Sequence, residues 1–300
     1  MVSKGMENVI KLLKQFQDST DELSVKIIRE GFNFFATISK LPKDVIAEPV
    51  NAGGVPAEWI TTPDVIPDHV LLYFHGGGYI AGSIDTHRDL VARISRAAKV
   101  RVLIIDYRLA PEHPFPAALE DAVSTYQWLI SIEKINPKNL IIGGDSAGGG
   151  LTVSTLVKLR EKGITLPTAG VYISPWIDLA GTGESMKTKA ELDPFITPEL
   201  NEFCAKTYLK DVDPKNYLAS PLYADLKGVP PMYIQVGNSE CILDDSKRLA
   251  KNAKEAGIDV ELDIWEDMIH IFPIFAPLAP EGQQAIQKIG NFIQKNLKKV

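Results

Sequence analysis

Gly144-Asp145-Ser146-Ala147-Gly148 stands between the apolar run Leu140–Ile142 and a helix-compatible run beginning at Leu151. A serine with glycine two places away on each side, at a strand-to-helix junction, is a pattern for exposing one hydroxyl on a sharp turn. The glycines remove Cβ atoms that would clash, and the amino end of the following helix favours negative charge. The chemistry this offers is nucleophilic attack by Ser146. Two other readings of the glycine-rich stretch 143–150 fail. A flexible linker does not sit between a strand and a helix. A phosphate loop needs a Walker Lys–Ser/Thr or a G-x-G-x-x-G spacing, and neither occurs. A serine that merely caps the helix would need no partners elsewhere in the chain.

Partners do occur. Upstream, His75-Gly76-Gly77-Gly78 follows the apolar run Val70–Phe74. Consecutive glycines let backbone N–H groups turn towards one point without side-chain obstruction, and one such donor at a developing oxyanion is worth about 10²–10³ in rate. Gly76, Gly77, Gly78 and Ala147 are the candidate oxyanion donors, and His75 reads as an anchor of its loop. In this strand–turn–helix architecture the order is serine, acid, histidine. Of the five histidines, His69, His75, His87 and His113 precede Ser146, and only His270 follows it. His270 is therefore the candidate base. The acid is expected in the loop after 231–237, where Glu240, Asp244 and Asp245 compete. Asp244 and Asp245 open a helix, where carboxylates serve free N–H groups. Glu240 lies nearest the strand end and is preferred, with Asp245 next.

These residues need a scaffold that presents them at one edge. Apolar runs at 69–75, 100–106, 139–145, 169–175, 231–237 and 260–265 alternate with helical stretches near 86–98, 117–132, 147–161, 244–256 and 283–297. That alternation predicts an α/β fold: a mostly parallel sheet with helices on both faces. Two shorter strands, 44–50 and 55–62, flank the turn Asn51–Gly54 and predict a hairpin. The first forty residues are expected to be helical, with Val25, Ile28, Phe32, Phe35 and Ile38 at helical spacing. A glycine-rich start and a helix near 197–209 mark a long excursion, about 180–228. The expected organisation is an N-terminal cap segment, 1–45, and a catalytic domain, 46–300, with a cap insertion at 180–228. A substrate pocket is expected around Tyr79, Asp145, Trp176, Phe34 and Phe203, with Phe35, Phe195 and Tyr208 as further aromatic candidates.

The 300 residues carry a formal net charge of −6 with no long basic run, which argues against nucleic acid as a partner. No apolar stretch reaches the ~20 residues of a membrane span, and the opening residues lack the pattern of a secretory signal. The two cysteines, Cys204 and Cys241, form neither a disulfide framework nor a metal site. A cytoplasmic protein is expected.

Taken together, His75–Tyr79, Asp106–Asp121, Gly143–Leu151, the acid loop and Met268–Phe272 resemble the bacterial hormone-sensitive lipase family, family IV esterases of the α/β-hydrolase fold. The resemblance runs from about residue 45 to the end. It implies hydrolysis of short- to medium-chain carboxylic esters without cofactor or metal, a helical cap, and homodimers paired through the last strand, here about 259–265. By position it makes Ser146 the nucleophile, His270 the base, and Gly77, Gly78 and Ala147 the main oxyanion donors. Many members have aspartate where this chain has Glu240. Asp106, Arg108 and Glu112 read as an internal charge network. The alternatives are an amidase or arylacetamide deacetylase-like hydrolase, or a non-catalytic receptor as in the plant gibberellin receptor, which lacks the histidine present here as His270.

Overall fold

Strands buried on both faces need apolar side chains at every position, and this chain supplies them at the centre of its sheet. In the computed structural model, which describes residues 2–18, 23–38 and 40–298, the strands are β1 (Ile46–Ala52), β2 (Val55–Thr61), β3 (Ile66–Phe74), β4 (Val100–Ile105), β5 (Leu140–Asp145), β6 (Ala169–Ile173), β7 (Met232–Gly237) and β8 (Val260–Trp265). Residues 1, 19–22 and 39 of the expected N-terminal segment lie outside the described residues, as do 299–300. The eight strands form one sheet in the order β1-β2-β4-β3-β5-β6-β7-β8. The β1–β2 hairpin and the β2–β4 pair are antiparallel, and every later pair is parallel. The hairpin turns at Gly53 and Gly54, both at positive φ (70° and 99°), as a two-residue hairpin turn requires.

The α-helices are α1 (Lys4–Asp18), α2 (Val25–Asn33), α3 (Phe35–Ile38), α4 (Ile84–Ala98), α5 (Ala117–Ser131), α6 (Ala147–Glu161), α7 (Ser185–Thr188), α8 (Pro198–Leu209), α9 (Leu243–Glu255) and α10 (Pro280–Leu297). Alternation along β3 splits the core. Val70, Leu72 and Phe74 join one apolar layer, which α5, α6 and α9 cover. Leu71 and Tyr73 join the other, with α1, α4 and α10. The expected strands and helices all appear, within a few residues of their expected ends.

The N-terminal helices are fastened at two points. Ser3 bonds the Glu281 carboxylate at the head of α10 through its N–H (2.6 Å) and hydroxyl (2.7 Å). Arg29 of α2 donates to Ile80 O (2.7 Å) and Ala110 O (3.1 Å) and forms a forked pair with Glu112. This corrects the expected network of Asp106, Arg108 and Glu112, which do not pair with one another. Asp106 accepts from Ile84 N at the start of α4, Arg108 pairs with Glu120 and Asp121 of α5, and Glu112 takes Arg29. Each charge ties the 106–121 loop to a different element.

The tightest joint lies between β3 and α6. A Cβ on Gly148 would fall on the carbonyl oxygen of Phe74, with that of His75 2.6 Å away. Backbone cannot give way there as a flexible side chain could. Gly148→Ala is expected to destabilise the fold by about 3 kcal/mol or more, measured as a lowered midpoint in thermal or urea unfolding.

Candidate active site

In parallel sheets of this kind, sites form beyond the carboxyl ends of the strands. Here β3, β5, β6, β7 and β8 each deliver a loop to that edge. β5 stops at Asp145 and α6 starts at Ala147, so Ser146 alone reverses the chain, at φ 51° and ψ −120°. L residues avoid this region, and the neighbours hold it in place. Ser146 N donates to Ile173 O (2.9 Å), while Ser146 O accepts from Trp176 N (2.9 Å) and Gly150 N (3.1 Å). Gly144 and Gly148 allow the reversal. At Gly149 a Cβ would stand 2.8 Å from Pro175 Cβ, and at Gly150 it would strike the Trp176 carbonyl. Those two glycines let α6 lie against the loop after β6.

Although Ser146 occupies the cap position of α6, its hydroxyl makes no capping bond. Its Oγ lies 2.9 Å from Nε2 of His270, and His270 Nδ1 lies 2.9 Å from Oε2 of Glu240. Since a carboxylate only accepts, Nδ1 carries the proton and Nε2 is left to accept from the serine. The other Glu240 oxygen accepts from Gly237 N (2.6 Å) and from Ser174 Oγ (2.7 Å). Ser174 Oγ in turn accepts from Ile271 N (3.1 Å). One hydroxyl thus fixes both the acid and the loop that carries the histidine. Ser174 was missed in the sequence reading. Its only mark is its place immediately after the apolar run of β6.

All three side chains are buried. Burial works against a charge on His270. The hydrogen bond and negative charge of Glu240, with the charges of Asp193 and Asp145, outweigh it and hold the imidazole above its usual 6.5. Asp245, the second choice for the acid, stands elsewhere. It accepts from Ile177 N (2.9 Å) and Asp178 N (3.0 Å) and pairs with Arg248. Burial pushes its carboxyl up to about 7. Asp244 accepts from Ser185 N.

The glycine loop divides in role. Gly77 and Gly78 adopt φ of 119° and 62° and line the same cavity as Ser146 and His270. Among the described residues nothing occupies the N–H groups of Gly77, Gly78 or Ala147. Gly76 differs from expectation: its N–H is directed at His87 Nε2, 3.4 Å away. Beneath the loop, Asp145 takes Tyr73 Oη (2.8 Å) and lies 3.3 Å from His87 Nε2. His75 bonds Gly76 O at 2.7 Å and stacks on Tyr107, and burial presses its pKa down to about 3. It stays neutral and anchors the loop.

The cavity beside Ser146 is apolar, walled by Ile28 and Phe32 of α2, by Trp176, and by Phe195, Ile196 and Leu200 before and within α8. Of the expected pocket residues, Trp176 lines it, as does Phe195 among the further aromatic candidates, whereas Tyr79, Asp145, Phe34 and Phe203, with Phe35 and Tyr208, do not. Asp145 is buried under the turn. Tyr79 stacks on Tyr208 at 3.9 Å, behind the wall. Phe34 ends α2 and is 46% exposed, pointing outward. Phe203 lies on the flank of α8 while Asn201 and Cys204 line the cavity. Among the described residues no cluster of three or more His, Cys, Asp or Glu is placed to hold a metal ion, and no helix is long and apolar enough to cross a membrane.

The alpha/beta hydrolase fold family matches residues 71–274. An acetyl-hydrolase of Streptomyces hygroscopicus is 41% identical over 87% of this chain and 85% of its own length. An esterase of Acinetobacter venetianus is 34% identical, over 81% of this chain and 80% of its own. Among solved structures, an esterase from the bacterial hormone-sensitive lipase family superposes with a TM-score of 0.96 at 46% identity, covering 99% of both chains. An esterase/lipase from an uncultured bacterium does so at 0.93 and 42%, with the same coverage.

Because His270 must be neutral to accept a proton and its pKa is raised, the rate should fall as pH drops through a value above the usual 6.5. A kcat/KM profile whose acidic limb lies below that value would contradict the geometry. Glu240→Gln should lower kcat by about 10³–10⁴-fold, as loss of the orienting acid does in such sets. Asp245→Asn should leave kcat within a few-fold and lower the unfolding midpoint instead.

Proposed function

The chain belongs to the α/β-hydrolase family, in its hormone-sensitive-lipase branch of carboxylic ester hydrolases, and from that premise we propose a serine carboxylesterase in which Ser146, His270 and Glu240 are the reacting set. The observation that carries this reading is the unbroken hydrogen-bonded line from Ser146 Oγ through the imidazole to Glu240, with 2.9 Å at each contact. His270 Nε2 takes the hydroxyl proton as Oγ attacks the ester carbonyl. The carbonyl oxygen becomes an anion, received by the N–H groups of Gly77, Gly78 and Ala147. The Glu240 carboxylate orients the imidazole and stabilises the imidazolium. That imidazolium then gives its proton to the departing alcohol, and water repeats the sequence on the acyl-enzyme.

Residues 1–45 and the 180–228 insertion act together as the cap, since side chains from both wall the cavity. The cavity measures about 40 Å³. A cavity this small favours a short acyl group. The acetyl-hydrolase name of a relative agrees with small acyl groups. Two unpaired, buried cysteines, Cys204 and Cys241, support a reducing, cytoplasmic setting. The free edge of the sheet at β8 is the surface through which two copies would pair, by way of 259–265.

A fluorophosphonate probe should label Ser146 and no other residue. Ser146→Ala should lose both labelling and ester hydrolysis, with its circular dichroism unchanged. Across p-nitrophenyl esters, kcat/KM should peak between acetyl and butyryl. A peak at long, emulsified chains would overturn the size argument, and faster turnover of matched anilides would favour an amidase.

A further inference from the structure

Asp193 has no part in the chemistry above. It lies between α7 and α8 and is 1% exposed. Its Oδ1 accepts from Phe195 N (2.9 Å) and Ile196 N (3.1 Å), folding 193–196 into a tight turn. Its Oδ2 accepts from Cys241 N at 2.8 Å, the residue after Glu240. Cys241 Sγ adds a second bond between the same segments, to Ile196 O at 3.2 Å. The turn hangs Phe195 and Ile196 into the cavity wall. The Phe195 ring lies over the His270 imidazole, with centroids 5.6 Å apart and planes at 30°. Behind it stand Phe32 and Phe35, at 6.1 and 5.6 Å. One carboxylate therefore fastens the cap to the acid loop and sets an aromatic face against the base.

A neutral amide has one acceptor oxygen, so it could make the turn bonds or the Cys241 bond but not both. Burying an anion with no cation beside it is costly, and among the described residues Asp193 forms no ion pair. Resting on the assignment of Ser146, His270 and Glu240, we propose that Asp193 is a positioning residue of the hydrolytic site, locking the cap turn onto the acid loop and holding a second negative charge within electrostatic reach of the imidazolium formed during catalysis. The surrounding charges agree. Burial lifts the Asp193 carboxyl to about 6; His270 and the Cys241 N–H pull it down, and Glu240 adds to the rise. The groups acting on His270 are Glu240 from the loop after β7, Asp193 from the cap and Asp145 from the end of β5. Because the carboxyl is raised from its ordinary 3.8 to about 6, stability is lost as pH climbs through that window and the cost of the ionised form is fully present above it. Such a cost fits a site that uses the charge.

Asp193→Asn keeps Oδ1 for the turn, and removes both the charge and the acceptor for Cys241 N. The measurement is kcat and KM against pH on a short p-nitrophenyl ester, with fluorophosphonate labelling of Ser146 in both proteins and circular dichroism to establish folding. The proposal expects kcat about tenfold lower with KM changed less. It also expects the acidic limb to move to lower pH by roughly 0.5–1 unit, because an anion favouring imidazolium has gone. If Asn does not fold, Asp193→Ser supplies a neutral turn acceptor with the same expected shift. A limb superimposable on the wild type's, in a folded and labelled variant, reduces Asp193 to a structural tie and overturns the proposal. Failure of the wild type to label at Ser146 would instead bring down the assignment beneath it.

Discussion

At Ser146 the chain reverses from β5 into α6 within one residue, at φ 51° and ψ −120°, a conformation that costs a non-glycine residue about 1–3 kcal/mol. It persists because the surrounding backbone admits nothing else. Ser146 N is held by Ile173 O, and its carbonyl by Trp176 N and Gly150 N. The Gly144 and Gly148 Cα atoms touch the end of β3, where a side chain has no room. The close approach that strains the serine also brings the glycine loop at the end of β3 beside the amino end of α6. The proposed nucleophile and oxyanion donors are thus two consequences of one packing contact.

Around that contact the charges are arranged by depth. Glu240 is bound on both oxygens, by Gly237 N and Ser174 on one and His270 on the other, so the imidazole has a fixed tautomer and no freedom to turn. Asp145, one residue before Ser146, points the opposite way into the core, where Tyr73 and His87 meet it. A Cβ on Gly76 would collide with its carboxylate. Asp145 therefore sets how deep the glycine loop sits, without reaching the cavity. Of the two carboxylates, Glu240 is directed at His270 and Asp145 at Tyr73 and His87 in the core.

How much of this was legible in the sequence depends on what fixes each residue. Ser146, His270 and the glycines were readable because backbone sterics and chain order constrain them, and the apolar runs placed every strand. Glu240 was separable from Asp245 by distance from the strand end alone, and the structure puts Glu240 on His270. Side-chain direction was harder. Ile28, Phe32 and Phe35 share a helical stripe that Phe34 leaves, so the spacing already argued against Phe34 in the cavity, and its aromatic character masked this. Asp106, Arg108 and Glu112 are close in sequence but bond α4, α5 and α2 respectively, and no local pattern shows which partner a loop charge will find. Ser174 is a single hydroxyl whose role exists only where three loops meet.

Two of the cavity-wall segments lie far apart in the chain, and each is fastened by a charged side chain beside a residue of the proposed site. Arg29 on α2 grips Ile80 O and Ala110 O, just beyond the loop that bears Gly77 and Gly78. Asp193 grips Cys241 N, just beyond Glu240. Phe32 and Phe195 then meet across the gap at 6.1 Å. Apolar contact between the two segments is non-directional and would tolerate sliding. The two polar grips supply the direction, one referenced to the donors and the other to the acid. The shape of the cavity is in this way indexed to the residues that would act on what it holds.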